Sequence, residues 1–312
     1  MAKPVYISLP HLLPDKLKKK EAFTIGGIER SISLDNDMEL AVAKSYTVNL
    51  RLQTKGTQTI DLSEQADVYT INDGKTYFFY CSKASNKHGI KVTGGNPTIY
   101  LANVTINATN GNAIEITNGS PTIHIQGSDT ITSSNGAGIF VVSGKTVKIT
   151  AEDYNVLVAK GGNGGSGIGG YMNNGTPVAC GNITITDIRY LYAHGSTDSN
   201  GNHSAGIGGA GNAACGTISI TNATVHAYGG NASNSGAAVV GAGLNGSSNS
   251  ATVPTIQITS SEIWAYRGAY ATTSAWVVTT VMAGTESCSA RAATARAPPF
   301  IVAPSIAIVR KI

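Results

Sequence analysis

Charge is what this chain has least of. Asp, Glu, Lys and Arg make up 13% of its 312 residues, against 41% hydrophobic. That composition belongs neither to a disordered segment nor to an ordinary enzyme domain. The formal net charge of +4 would suit a polyanionic partner if the excess lay on one face. It does not: between Ser45 and Gly284 eleven Lys and Arg are matched by eleven Asp and Glu, and the excess sits in the termini. No nucleic-acid partner is expected. Long apolar runs are missing too. No segment approaches the ~18 consecutive apolar residues of a membrane helix, so no membrane insertion is expected. The opening "MAKPVYISLPHLLPDKLKKKEAF" sets three prolines before the basic run Lys18–Lys20 and has no apolar stretch of signal-peptide length. With no signal peptide visible, an extracellular, cell-surface or virion location implies a signal absent from this sequence or release by lysis.

Cysteine is sparse and patternless. The four cysteines show no Cys-x-x-Cys or Cys/His spacing, which excludes the usual zinc sites. A phosphate loop is excluded as well, because in "VVSGKTVK" the position five before Gly144 is Ile139 rather than glycine.

What the chain has instead is 37 glycines and a repeat. The motifs "PTIYL", "PTIHI", "TVKIT", "NITIT", "TISIT" and "TIQIT" begin their apolar pairs at Ile99, Ile123, Val147, Ile183, Ile218 and Ile256, at intervals of 24, 24, 36, 35 and 38. Ile90, Ile114 and Ile139 run in step, and Ile168 and Ile207 of two "GIGG" clusters continue them. A third short strand per repeat shows in "VTINAT", "DTITSS", "NVLVAKG", "YLYAHG", "TVHAYG" and "IWAYRG". Alternation bounded by Gly, Asn and Ser reads as short strands with one buried face. Three of them every 24 residues, lengthened later by Gly/Asn loops, is the arithmetic of an all-β, single-stranded parallel β-helix, expected to be right-handed. Recurrent glycines then mark corners where the path turns. Residues 45–284 form the helix. Residues 1–44, with a short helix from Asp15, read as an N-terminal cap or attachment segment. Residues 285–312, which contain no glycine, are an atypical tail that caps the last coil, meets a partner or arises from a reading-frame error.

The "CGNITIT" and "GIGG" alternation, with "GIKVTGGNPTIYLANVTI" and "SPTIHIQGSDTITSSNGAGIFVVSGKTVKIT" before it, resembles the glycine-rich β-helix repeat proteins of gut bacteria and their viruses. The resemblance spans roughly Lys75–Gly268, and such proteins are often labelled carbohydrate-binding or surface adhesion domains. It is specific for architecture and weak for function. The chain departs from the pattern in "AAVVGAG", which stands where a third GIGG is due.

Candidate chemistry is thin. From Pro97 to Tyr270 the acids are Glu115, Asp129, Glu152, Asp153, Asp187, Asp198 and Glu262, too dispersed for a paired-carboxylate hydrolase. His88, His124, His194, His203 and His226 have no acid or nucleophile at a repeat offset, apart from Glu262 near His226. Asp198, Asn200 and Asn202 alternate as calcium ligands do, but the closing Glu is absent and the stretch reads as a solvated turn; no cofactor is expected. Cys180 and Cys215 precede equivalent strands of adjacent repeats, within disulfide reach, and we read them as a ladder of small residues left reduced.

The third strands offer the best site. Aligning "YLYAH", "TVHAY" and "EIWAY" points Leu191, Val225 and Ile263 inward with Ala193, Ala227 and Ala265. Tyr192, His226 and Trp264 then form one outward column and His194, Tyr228 and Tyr266 the next. Aromatics with polar tips on an exposed face suit sugar rings, and a regular spacing suits a polymer. The same columns would also stabilise neighbouring coils, or lie beneath the C-terminal segment or another subunit. The expectation is a non-catalytic adhesion protein recognising polysaccharide or cell-surface glycan. A homotrimeric virion fibre or tail spike is the alternative, and a polysaccharide lyase or hydrolase the third.

Overall fold

The computed structural model describes residues 56–84, 86–151, 155–230, 237–243 and 254–266, with the backbone of strands at 16–17, 20–25, 28–33, 38–39, 53–54 and 306–307. The chain divides into two compact units, Met1–Thr57 and Gln58–Ile312.

In the first unit the helix expected from Asp15 is replaced by strands. Lys16–Leu17 pairs antiparallel with Met38–Glu39, and Lys20–Ile25 pairs with Ile28–Ser33. The latter run is "KEAFTI" and "IERSIS" around a Gly-Gly pair, a hairpin signal that outweighs the helix-favouring lysines. The unit reaches past residue 44 because Gln53–Thr54 pairs with Arg30 and Ser31.

The second unit is a parallel β-helix. Among the described residues six coils each supply one strand to three sheets. The first sheet takes Ile90–Val92, Ile114–Ile116, Ile139–Val141, Ile168–Gly169, Ile207–Gly208 and Val240–Gly241 from coils 1 to 6. The second takes Thr98–Ala102, Thr122–Gln126, Thr146–Ala151, Asn182–Thr186, Ile218–Thr221 and Ile256–Thr259. The third takes Thr105–Ala108, Ser128–Ser133, Val156–Lys160, Tyr190–His194, Thr224–Tyr228 and Glu262–Tyr266. Thr57–Asp61, Tyr69–Ile71 and Thr76–Tyr80 lead into coil 1. At the far end Ile306–Ala307 pairs antiparallel with Trp264 and Ala265; the rest of the tail lies outside the described residues.

Alternation fixes which side chains fill the interior. In Asn182–Thr186 only Ile183 and Ile185 are buried, and the same inside positions are repeated by Ile218 and Ile220 in the next coil. One register differs from the repeat arithmetic. Ile123 pairs with Ile149, not with Val147 at the 24-residue interval, and Val147 pairs onward with Ile183. A slip of two residues keeps every side chain on its face, so hydrophobic pattern alone does not resist it.

The coil turns sharply between the second and third sheets. Asn103, Asp187, Asn222 and Ser260 have φ of 53, 59, 50 and 48° there, a left-handed backbone that Asn and Asp tolerate better than most residues. The corners also bond to one another, Asn222 Nδ2 donating to Asp187 Oδ1 at 2.8 Å.

The glycine clusters answer to close approach. Gly169, Gly208 and Gly241 stack in register at φ of 139, 134 and 139°. A Cβ on Gly169 would lie 1.9 Å from the carbonyl oxygen of Gly208, and one on Gly208 equally close to that of Gly241. "AAVVGAG" therefore does the work of a third GIGG, with Val240 in the isoleucine slot.

Candidate functional site

The third sheet carries the predicted columns in register. Tyr192 pairs with His226 and His226 with Trp264; His194 pairs with Tyr228 and Tyr228 with Tyr266. Their neighbours Leu191, Ala193, Val225, Ala227, Ile263 and Ala265 are buried, which leaves the six ring-bearing positions facing outward, each partly exposed. At the strand ends, the glycine that leads into the first-sheet strand of the same coil passes close by. A Cβ on Gly167 would meet His194 N at 2.6 Å, and one on Gly206 would meet Tyr228 N at 2.9 Å.

The rings stack on one another. Centroids are 4.8 Å apart for Tyr192 and His226, 4.1 Å for His194 and Tyr228, and 4.4 Å for Tyr228 and Tyr266, with planes within 17° of parallel. Rings lying flat side by side on the sheet would collide at such distances, so they stand with their faces toward each other along the coil axis. His226 joins the columns, 5.9 Å from Trp264 and 6.0 Å from Tyr266, with Nδ1 3.3 Å from the Tyr266 hydroxyl. What faces solvent is a row of ring edges and polar tips.

Burial sets the electrostatics. It pulls the His194 pKa down to about 4, helped by the charge of Lys160 one coil below. Burial likewise lowers the pKa of His226, against the pull of Glu262. Burial raises the pKa of Tyr228, with Tyr266 and Tyr192 adding to it. At neutral pH the His194 ring is therefore uncharged, and the shift at His226 favours its neutral form. The column foot at Lys160 is exposed, and Arg189 holds its guanidinium carbon 5.5 Å from the Tyr190 ring centroid.

Comparison with models of protein families, with curated proteins and with solved structures finds no match to this chain.

Of the acids, Glu262 lies at the start of the third-sheet strand that carries Trp264 and Tyr266, and others are engaged elsewhere. Glu115 pairs with Lys91 at 3.0 Å, and Asp187 accepts from Asn222. Both oxygens of Asp198 are occupied within its own turn: Oδ1 accepts from the N–H groups of Asn200 and Asn202, and Oδ2 from Asn202 Nδ2. Burial pushes the Asp198 pKa up, but these donors outweigh it and hold the carboxyl below its usual value. Glu152 and Asp153 lie outside the described residues. Among the described residues there is no group of three or more His, Cys, Asp or Glu able to hold a metal, and no helix long and apolar enough to cross a membrane.

The cysteine reading is corrected. Cys180 and Cys215 form a disulfide between coils 4 and 5, with Cα atoms 4.5 Å apart. Equivalent positions of adjacent coils are held together by the backbone ladder itself, Cys180 N–H donating to Ala214 O and Gly216 N–H to Cys180 O. Such a spacing suits small side chains and a disulfide equally, which is why spacing could not choose.

Two features were not singled out from the sequence. Asp129 lies inside the solenoid, 1% exposed. Tyr100 stacks on His124 with centroids 4.7 Å apart, on the second sheet. Their 24-residue separation, one repeat of the early coils, was the available signal.

Proposed function

We propose that this chain is a non-catalytic surface protein that recognises glycan polymers along its third sheet. The observation that carries the reading is the double column of six rings, in register over three coils on an outward face. Ring edges are amphipathic: their C–H groups meet the apolar side of a sugar while tyrosine hydroxyls, imidazole nitrogens and the indole N–H bond its hydroxyls. Repetition at one strand spacing suits an extended chain of residues rather than a single small molecule. The resemblance to glycine-rich adhesion repeats points the same way, and the dispersal of the acids along the sequence favours binding over bond cleavage.

An extracellular or virion location belongs to the same proposal. The Cys180–Cys215 bridge supports it, since structural disulfides persist chiefly in oxidising surroundings.

A glycan array probed with the full chain tests the reading, beside Trp264→Ala and the triple variant Tyr192→Phe, Tyr228→Phe, Tyr266→Phe. The phenylalanines keep the stacks and remove the hydroxyls. We expect glycan binding by the wild type, weakened about tenfold or more in the folded triple variant, the loss of one or two good hydrogen bonds. A folded wild type that binds no glycan overturns the reading, and a trimer in solution would then favour the fibre.

A further inference from the structure

A second row of rings stands on a different sheet, in the opposite half of the solenoid. Phe78, Tyr100 and His124 occupy matching positions of three consecutive second-sheet strands, Thr76–Tyr80, Thr98–Ala102 and Thr122–Gln126. Each is flanked in its strand by buried residues, Tyr77 and Phe79, Ile99 and Leu101, Ile123 and Ile125, so each faces outward. Tyr100 and His124 lie within 21° of parallel. Beside the rings runs a row of hydroxyls, Thr76, Thr98 and Thr122, in the same register. None of the outward positions on these three strands is Asp, Glu, Lys or Arg.

That chemistry selects an occupant. The cations bordering this face are Lys148, paired in register with Thr122, and Lys75, which is bonded to Asp73, too few to hold a phosphate backbone or an acidic peptide, whose affinity rests on ion pairs. Ring edges beside a row of hydroxyls complement an uncharged sugar polymer, whose hydroxyls pair with the threonines while its C–H surface meets the rings. We propose that Phe78, Tyr100 and His124, with Thr76, Thr98 and Thr122, form a second glycan site that takes a neutral polysaccharide. The proposal rests on the reading that the third sheet binds glycan.

The two sites cannot be one. They lie on different sheets, either side of the corner marked by Asn103 and Asp187. Coil 3 separates them and places Lys148 and the buried Thr150 on one sheet, and Val158 and Lys160 on the other, at the positions the rings hold elsewhere. The nearest ring-bearing coils, 2 and 4, are two strand spacings apart, about 10 Å. A strand lying along one sheet leaves the other free. The protein is thus bivalent, and two polymer strands can be joined by one molecule.

Isothermal titration of the full chain with cellohexaose, xylohexaose and mannohexaose tests this, with galacturonohexaose as the acidic comparison. The variants are Thr98→Val and Tyr100→Leu on the second sheet and Tyr228→Leu on the third, each checked for an unchanged fold by circular dichroism. We expect a neutral hexaose to bind at two sites per chain. Tyr100→Leu should leave one site and Tyr228→Leu the other, with Thr98→Val weakening the second-sheet site about fivefold or more. One site per chain, abolished by Tyr228→Leu and untouched by the second-sheet variants, overturns the second site and leaves the first standing. Binding of galacturonohexaose alone at the Tyr100 site overturns the neutral occupant, and no binding by any hexaose overturns both readings.

Discussion

Asp129 occupies the inward slot that Leu157 fills one coil above it, in the column continued by Leu191, Val225 and Ile263. Its Oδ1 accepts the Val104 N–H at 2.6 Å. Burial raises its pKa to about 7, against the opposing pull of the Val104 and Gln126 N–H groups. The folded state therefore holds a proton that the unfolded chain releases near 4. The stability tied to that proton is complete below about 4 and is lost as pH rises through about 7. Asp129→Asn should be close to wild type at pH 4 and more stable by about 2–4 kcal/mol at pH 8. Urea midpoints at the two pH values check it, and equal wild-type and variant midpoints at pH 8 would sink the account.

His194 has the opposite sign. With a folded pKa of about 4 against about 6.5 for a free imidazole, its contribution is present above 6.5 and fades as pH falls toward 4. The two groups act against each other over one window, which flattens the wild-type profile. In the Asp129→Asn background, stability should instead rise between pH 4 and 6.5. Adding His194→Phe should shrink that rise, leaving the part that the lowered pKa of His226 supplies, as thermal midpoints across the range would show.

Much of this was legible in particular residues. Ile183 and Ile185, alternating with polar neighbours and returning as Ile218 and Ile220, require a strand with one buried face, and so the stacked coil. Aligning Tyr192, His226 and Trp264 by repeat was enough to place them in one column. The register of Ile123 was not legible, because a two-residue slip leaves every inside position apolar. Asp129 shares its parity with the buried Ile131 and so was inward by position; its charge argued against that place, and only the packing shows the place is held. Ring orientation was also beyond the pattern, since the alternation says which way a side chain points and not how its plane turns.

The Cys180–Cys215 bridge closes a 35-residue separation. By loop-closure entropy such a link stabilises by about 3–4 kcal/mol. Reduction should lower the thermal midpoint by several degrees while leaving the β-sheet circular dichroism at room temperature in place, because the ladder and core remain. Cys180→Ala with Cys215→Ala should reproduce the reduced protein and no longer respond to reductant.

Glycine substitutions separate crowding from conformation. Gly208→Ala places a Cβ 1.9 Å from the Gly241 carbonyl oxygen at a φ of 134°, whereas Gly144→Ala, at a φ of 81°, meets nothing within 4 Å. The second should cost about 1–2 kcal/mol of backbone strain. The first should cost more than 4 kcal/mol, beyond the range of ordinary substitutions, and expose the last two coils to limited proteolysis.

Tyr228 sits between His194 and Tyr266, with a stacking partner on each side. Tyr228→Ala should destabilise by about 1–3 kcal/mol, two stacked pairs at 0.5–1.5 each, while Tyr228→Phe should stay within about 1 kcal/mol of wild type. Denaturant unfolding of both variants checks this, and comparable losses would mean the hydroxyl rather than the stack holds the column.

Along the second sheet the early coils advance by 24 and 26 residues and the later ones by 36, 35 and 38, yet each adds a single step to the same three sheets. Duplicating one repeat within the gene would therefore insert a whole step and leave the interior rows unbroken. The reach of each outer face becomes a countable trait, altered in whole steps, and a lineage could lengthen its grip by copying a segment without inventing a new surface.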